Sequence, residues 1–346
     1  VAEAIGAAIG RTTAPGAQAA LLAHGSIAWV RCWGLSGAGG PEVRPVTLFQ
    51  AASISKTVTA WCVLALVEEG RLELDAPIGR YVDRWRPGPS PHAADGLTLG
   101  RLMSHTAGLS VPFYPGEDPG RRRLPPEDAL FAPEGERLSI VAAPGTEFRY
   151  SGGGWALLQC AVEAATGRPF ARAMRERVLA PLGMSSSFRW SRAVAAAVAE
   201  GHDASGRRLP NFRYRAAAAA GLYAGAGDLA RFLLAHVPGP DGEPAGRGVI
   251  SPASVELATM AVAETGRADG LWAGYGLGYE VEALGGGARL VGHSGINRGW
   301  RARMGLRLPE GDGLAVLVNG DGGDAVVAAA FAAWARAAWG RVPAGW

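Results

Sequence analysis

"FQAASISKTV", residues 49–58, contains Lys56, the sole lysine of a chain that otherwise builds its basic positions from arginine: Lys and Arg total 34, of which 33 are Arg. Heavy use of Ala, Gly and Arg explains why lysine is scarce. It does not explain why the survivor stands three residues after Ser53. The apolar run that follows, to about Val67 and stopping at Gly70, has helical spacing. Residues i and i+3 share a helix face, so Ser53 and Lys56 can point into one pocket. A serine hydroxyl needs an adjacent base at neutral pH, and a lysine can serve if burial or neighbouring positive charge lowers its pKa. Arginine cannot, because its guanidinium stays protonated. In the first turn of a helix, Ser53 would also have free N–H groups beside a developing oxyanion. The motif is short, however, and a lysine snorkelling from a helix end is the plain alternative.

Composition narrows the classes. The chain has 346 residues, 48% hydrophobic and 19% charged, as expected of a soluble globular protein with one large domain or two lobes. A net charge of +3 gives no field for nucleic acid, and the densest basic cluster, Arg121 to Arg123, reads as a solvated loop. Cys32, Cys62 and Cys160 are widely spaced, without CxxC or Cys/His metal spacing, so free thiols are expected and neither metal nor cofactor is called for. No apolar stretch reaches membrane length, and residues 1–13 lack a signal-peptide pattern, although the sequence starts at Val1. The expectation is a cytoplasmic monomer or weak homo-oligomer acting on a small molecule.

Along the chain, a short helix at 1–12 precedes two β-like runs within 17–35 around a turn at Gly25. The middle is helical in pattern at 98–105, 153–166, 168–179 and 226–236, and 237–248 is a strong breaker. Four strands are expected at 275–283, 288–293, 299–308 and 313–319, then a helix from 324 to 339 stopped by Gly340. Strands at both ends imply an α+β fold: one antiparallel sheet built from both chain ends and flanked by helices, with an inserted, mostly helical lobe. The expected division is 1–74 with 245–346 for the sheet lobe and 75–244 for the insert.

Two further stretches carry chemistry. "GTEFRYSGGGW" puts Tyr150 and Ser151 on a glycine-flanked turn before a helix, and "LVGHSGINRGW" puts His293, Ser294 and Gly295 at a strand end. With "SISK" they make the chain resemble the serine β-lactamase and penicillin-binding-protein superfamily, in its class C-like branch of esterases, D-stereospecific peptidases and transacylases. "LTLGRLMSHTAGL", "LAPLGMSSS", "AAAGLYAGAGDLARF" and "GYGLGYEV" extend the likeness from about Ala17 to Asn319.

The resemblance implies that Ser53 is the acylated nucleophile, Lys56 its activating partner, and Tyr150 the residue moving the leaving-group proton, with the Lys56 and Tyr150 roles overlapping. It implies an oxyanion hole from the N–H groups of Ser53 and Ile296, with Gly295 leaving room for substrate and His293 standing for the lysine of K-T-G. Gly152 replaces the usual Asn, and H-S-G replaces K-T-G, both of which weaken recognition of β-lactams. Tyr223, Phe113, Tyr114, Trp272 and Trp300 are candidates for the pocket wall. His105 and His202 read as structural. "GHSGI" imitates a nucleophile elbow but lacks its last glycine. The leading expectation is hydrolysis of an ester or amide through an acyl-enzyme. A transacylase is the alternative, and a β-lactamase or a catalytically silent binding protein is the lesser one.

Overall fold

A computed structural model describes residues 1–120, 130–132, 135–266, 272–340 and 342. The arginine cluster 121–123 lies outside the described residues. β1 (Gly16–Ala23) and β2 (Ser26–Gly34) form an N-terminal hairpin, and β3 (Phe49–Ala52) pairs with β4 (Leu222–Ala224). The C-terminal part supplies β5 (Ala263–Glu264), β6 (Gly274–Tyr275), β7 (Glu280–Gly285), β8 (Ala288–Asn297), β9 (Trp300–Leu308) and β10 (Asp312–Val318). These strands, without β3 and β4, form one sheet in the order β2-β1-β10-β9-β8-β7-β6-β5, every neighbour antiparallel. Both chain ends therefore share one sheet, as the sequence led us to expect, joined from Ala17↔Val318 to Leu22↔Gly313.

The helices are α1 (Ala2–Ile9), α2 (Ile54–Glu68), α3 (Leu99–Met103), α4 (Gly152–Thr166) and α5 (Phe170–Met174), then α6 (Arg192–Ala197), α7 (Ala217–Ala220), α8 (Ala226–Leu234), α9 (Pro252–Thr259) and α10 (Asp324–Trp339). β10 reads almost uninterruptedly apolar because both its faces are covered. Leu314, Val316 and Val318 join Ile5 of α1 and Phe331 of α10 on one face. Ala315 and Leu317 join Ala20, Leu22 and the α8 residues Phe232 and Leu233 on the other. α2 is buried from Ile54 to Leu66, without a polar face, and so runs through the centre of the molecule.

Four expectations need correction. The run 275–283 is a hairpin of β6 and β7, turned by a Gly276 N–H to Tyr279 O bond of 2.8 Å. β8 continues past His293 to Asn297, so His293 to Ile296 lie within the strand. The run 168–179 is α5 followed by a wider π-type turn, Arg175–Leu179. α8, which the expected boundary put in the insert, packs on β1 and β10. No described helix is long and apolar enough to cross a membrane.

Candidate active site

The nucleophile candidate sits where β3 turns into α2. Ala52 takes a left-handed backbone (φ 49°), uncommon for a residue with a side chain, and Ser53 follows at the N-cap position of α2 with its side chain making no capping bond. Because α2 is buried on all sides, Ser55 and Lys56 find their partners within the protein. Ser55 Oγ donates to Ala52 O at 2.5 Å and accepts from Leu222 N–H at 2.9 Å, tying the turn to β4. Lys56 Nζ donates to Ala219 O at 2.8 Å and lies 3.0 Å from Ser53 Oγ. Tyr150 Oη donates to Ser53 Oγ at 3.0 Å. Three residues separated by up to 97 positions thus meet on one hydroxyl oxygen.

Burial sets the protonation states. Lys56, 2% exposed, has its pKa pulled down to about 7 by desolvation, against an upward pull from the Glu280 charge. Desolvation pushes the Tyr150 phenol up, with its Ser53 hydrogen bond opposing. Near neutral pH the amine can therefore be free while the phenol keeps its proton. The His105 ring stacks on Tyr150, centroids 4.1 Å apart, and its Nδ1 accepts the Ser151 N–H at 3.0 Å. Burial holds His105 far below the usual histidine range, so it is neutral and structural, as expected. His202 is structural too, between Asn319 O and Ala38 N–H.

β8 provides the opposite wall. Pairing with β7 ends at Glu280↔Gly292, which among the described residues leaves the 293–297 edge without a strand partner on that side. His293 is buried, its Nε2 2.9 Å from Tyr275 Oη, and desolvation lowers its pKa although Glu280 pulls it up. Ser294 gives both its N–H (3.0 Å) and its Oγ–H (2.8 Å) to the Glu280 carboxylate. Its hydroxyl is bound to a carboxylate, not to a base beside Ser53. Asn297 Nδ2 donates to Gln50 Oε1 at 2.8 Å, locking the end of β8 to β3.

A cleft of about 290 Å³ opens over these groups, lined by Ser53, Tyr150, Glu280, His293, Ser294 and Ile296 and by the rings of Phe113, Phe148, Trp272 and Tyr275. A smaller recess beside it includes Ser53, Lys56, Tyr114, Gly152, Ile296 and Asn297. Phe113, Tyr114 and Trp272 thus fall where the sequence suggested. Trp300 does not, because its ring packs edge-on against Phe49. Tyr223 is a correction as well: it is 4% exposed and packs with Leu48, Val194 and Trp190, away from the cleft lining. So is the reason for Gly295. A Cβ there would stand 2.4 Å from Ala51 O, so the glycine admits the β3 backbone and not substrate. At Gly152 a Cβ would meet Pro112 O at 3.0 Å and the Tyr114 ring at 3.2 Å, so that ring occupies space a larger side chain would need.

Sequence reasoning missed Glu280, Tyr275, Phe148 and the Ala219 carbonyl. "GYGLGYEV" was noted, yet only the β7–β8 register brings Glu280 to Ser294. Among the described residues no group of three or more His, Cys, Asp or Glu stands together as metal ligands.

A serine hydroxyl with a buried lysine and a tyrosine on it, between a strand edge and the start of a buried helix, defines a class of site that sequence comparison can test. The family model described as Beta-lactamase matches residues 1–338, and the chain belongs to that family. It is 31% identical over 255 residues to the esterase EstB of Burkholderia gladioli, covering 64% of this chain and 65% of that one. It is 27% identical over 299 residues to a D-aminopeptidase of Brucella canis, covering 84% of this chain and 53% of the other. The chain thus spans less than two thirds of the length of these curated relatives. Among solved structures, the octameric penicillin-binding-protein homologue from Pyrococcus abyssi superposes with TM-score 0.80 at 26% identity, covering 97% of this chain and 76% of that one.

Proposed function

We propose that the protein is a serine hydrolase that cleaves a small-molecule ester or amide through an acyl-enzyme on Ser53. The observation that carries this reading is the convergence of Lys56 Nζ and Tyr150 Oη on Ser53 Oγ, each at 3.0 Å, with the lysine pKa brought to about 7. Neutral Lys56 takes the hydroxyl proton as Oγ attacks the carbonyl carbon. The negative charge that develops on the carbonyl oxygen is met by the N–H groups of Ser53 and Ile296. Strand geometry supports the second donor. Alternate N–H groups point to the same edge, and that of Ser294 points to the free edge, where Glu280 accepts it. The proton on Lys56 passes by way of Tyr150 to the leaving oxygen or nitrogen as its bond to carbon breaks. Water then attacks the acyl-enzyme by the same relay, releasing the acid and restoring Ser53.

The cleft is open enough to admit the water that hydrolysis needs. Phe113 and Ile296, on its rim, are 71% and 64% exposed, so water reaches the ester. The similarity to an esterase and to a D-aminopeptidase fits this reaction type. Gly152 and neutral His293 leave a β-lactam without its amide-holding and carboxylate-holding partners, so β-lactams are expected to be poor substrates. The test is turnover of p-nitrophenyl acetate and of D-amino acid amides by wild-type protein and Ser53→Ala. Turnover of at least one by wild type and none by the variant is expected. A folded wild-type protein inert to every acylating agent would favour a binding role instead.

A further inference from the structure

The larger part of the cleft holds a carboxylate that is hydrogen-bonded to Ser294 and not to Ser53, Lys56 or Tyr150, although its charge raises the pKa of Lys56 and His293. Glu280 is 7% exposed and lines the cavity, and it stands in no salt bridge among the described residues. Among the described residues, its carboxylate accepts hydrogen bonds from the N–H and Oγ–H of Ser294 alone. Capping that strand edge does not require a charge, since a glutamine amide could accept from the N–H and donate to the hydroxyl. Nearby basic groups are engaged elsewhere. Lys56 is turned to Ser53 and Ala219, His293 is lowered by burial, and Arg303 stacks on Trp272 and Phe331 outside the cleft lining. The same cavity is lined by four aromatic rings, Phe113, Phe148, Trp272 and Tyr275, the last paired with Glu280 across β6 and β7. A buried carboxylate in a cavity with aromatic walls is the chemistry that binds an ammonium group, through charge and through the negative ring faces.

Resting on the acyl-serine reading, we propose that this cleft selects substrates whose leaving portion carries an ammonium group, with Glu280 as the specificity-determining residue. Tyr150, which returns the proton to the leaving atom, lines this larger cavity and not the smaller recess. The departing alcohol or amine therefore occupies the space that Glu280 and the rings enclose. A carboxylate on the same portion is repelled, the reverse of what a K-T-G lysine favours.

The test compares three acetate esters of similar size: acetylcholine, its uncharged isostere 3,3-dimethylbutyl acetate, and 4-acetoxybutanoate. Wild-type kcat/KM is expected to be at least about tenfold higher for acetylcholine than for the isostere, a cation–aromatic and charge-pair effect, with 4-acetoxybutanoate slowest. In Glu280→Gln the acetylcholine-to-isostere ratio falls towards one. Being a ratio within one variant, it is insensitive to any general loss of activity. Tetramethylammonium should inhibit wild type competitively and Glu280→Gln at least about fivefold more weakly. A wild-type ratio near one, or a ratio unchanged in Glu280→Gln, overturns the ammonium site. Labelling by a fluorophosphonate separates the two readings. A protein labelled on Ser53 without cation preference loses only the ammonium site, whereas an unlabelled protein overturns the acyl-serine reading and this inference with it.

Discussion

Lys56 was legible in the sequence because its chemistry is unlike that of the residue the chain uses everywhere else: arginine cannot give up a proton. On the proposed reading, the base role that the sequence left overlapping between Lys56 and Tyr150 falls to Lys56, since desolvation lowers the amine and raises the phenol. Replacing Lys56 with Arg keeps a cation but removes the base, and kcat/KM should fall by about 10²–10⁴-fold, the usual worth of acid–base catalysis. Tyr150→Phe should act differently by substrate. An amide, whose nitrogen must be protonated to leave, should lose about 10²–10⁴-fold, while p-nitrophenyl acetate, with a good leaving group, should lose far less. Equal losses on both would contradict the relay role of Tyr150. Glu280 was invisible for the opposite reason, since nothing in "GYEV" shows that a register will set it beside Ser294.

Long elements with uninterrupted patterns, α4 and α10 among them, fall close to their expected positions, and each ends at a left-handed glycine. β3 and β4 escaped notice because four and three residues carry too little periodicity, and they are the pair that delivers Ser53. The run 275–283 reads as one strand because its turn, Gly276 to Tyr279, carries no Asn, Asp, Ser or Pro to mark it. The interlock of β3 with β8 predicts that Gly295→Ala, by driving a Cβ into Ala51 O, destabilises the fold by about 1–3 kcal/mol. The same change should displace Ser53, so urea unfolding and acylation rate should both suffer. Behind α2, Trp61 Nε1 donates to Tyr279 Oη and that hydroxyl meets His236 Nε2, each at 2.7 Å. Tyr279→Phe leaves both nitrogens without that partner and should cost about 1–3 kcal/mol in urea unfolding. A change below a few tenths of a kcal/mol would remove this bridge from the account.

At the scale of the molecule, the union of both chain ends in one sheet was readable from strand patterns at each end. The strand order was not, nor was the packing of α8 on β1 and β10, because apolar faces do not name their partners. The buried histidines give the whole fold a pH dependence. Burial lowers His236 to about 4 and His105 well below the usual 6.5, so both bind protons more readily when unfolded. Stability they support is complete above pH 6.5 and is lost as pH falls towards 4, because there the unfolded chain takes up protons the folded one refuses. The urea midpoint should therefore drop steadily from pH 6.5 to 4, and a flat midpoint across that window would contradict the burial assigned to them.

The central claim is that Lys56, held neutral by burial, activates Ser53. Its most direct measurement is the rate of fluorophosphonate labelling as a function of pH, with the adduct located by peptide mass mapping. The account predicts a single adduct on Ser53 and a rate that rises through a midpoint at about pH 7, the value to which burial brings Lys56. An adduct on another serine, or a midpoint near the 10.5 of an ordinary lysine, would contradict it.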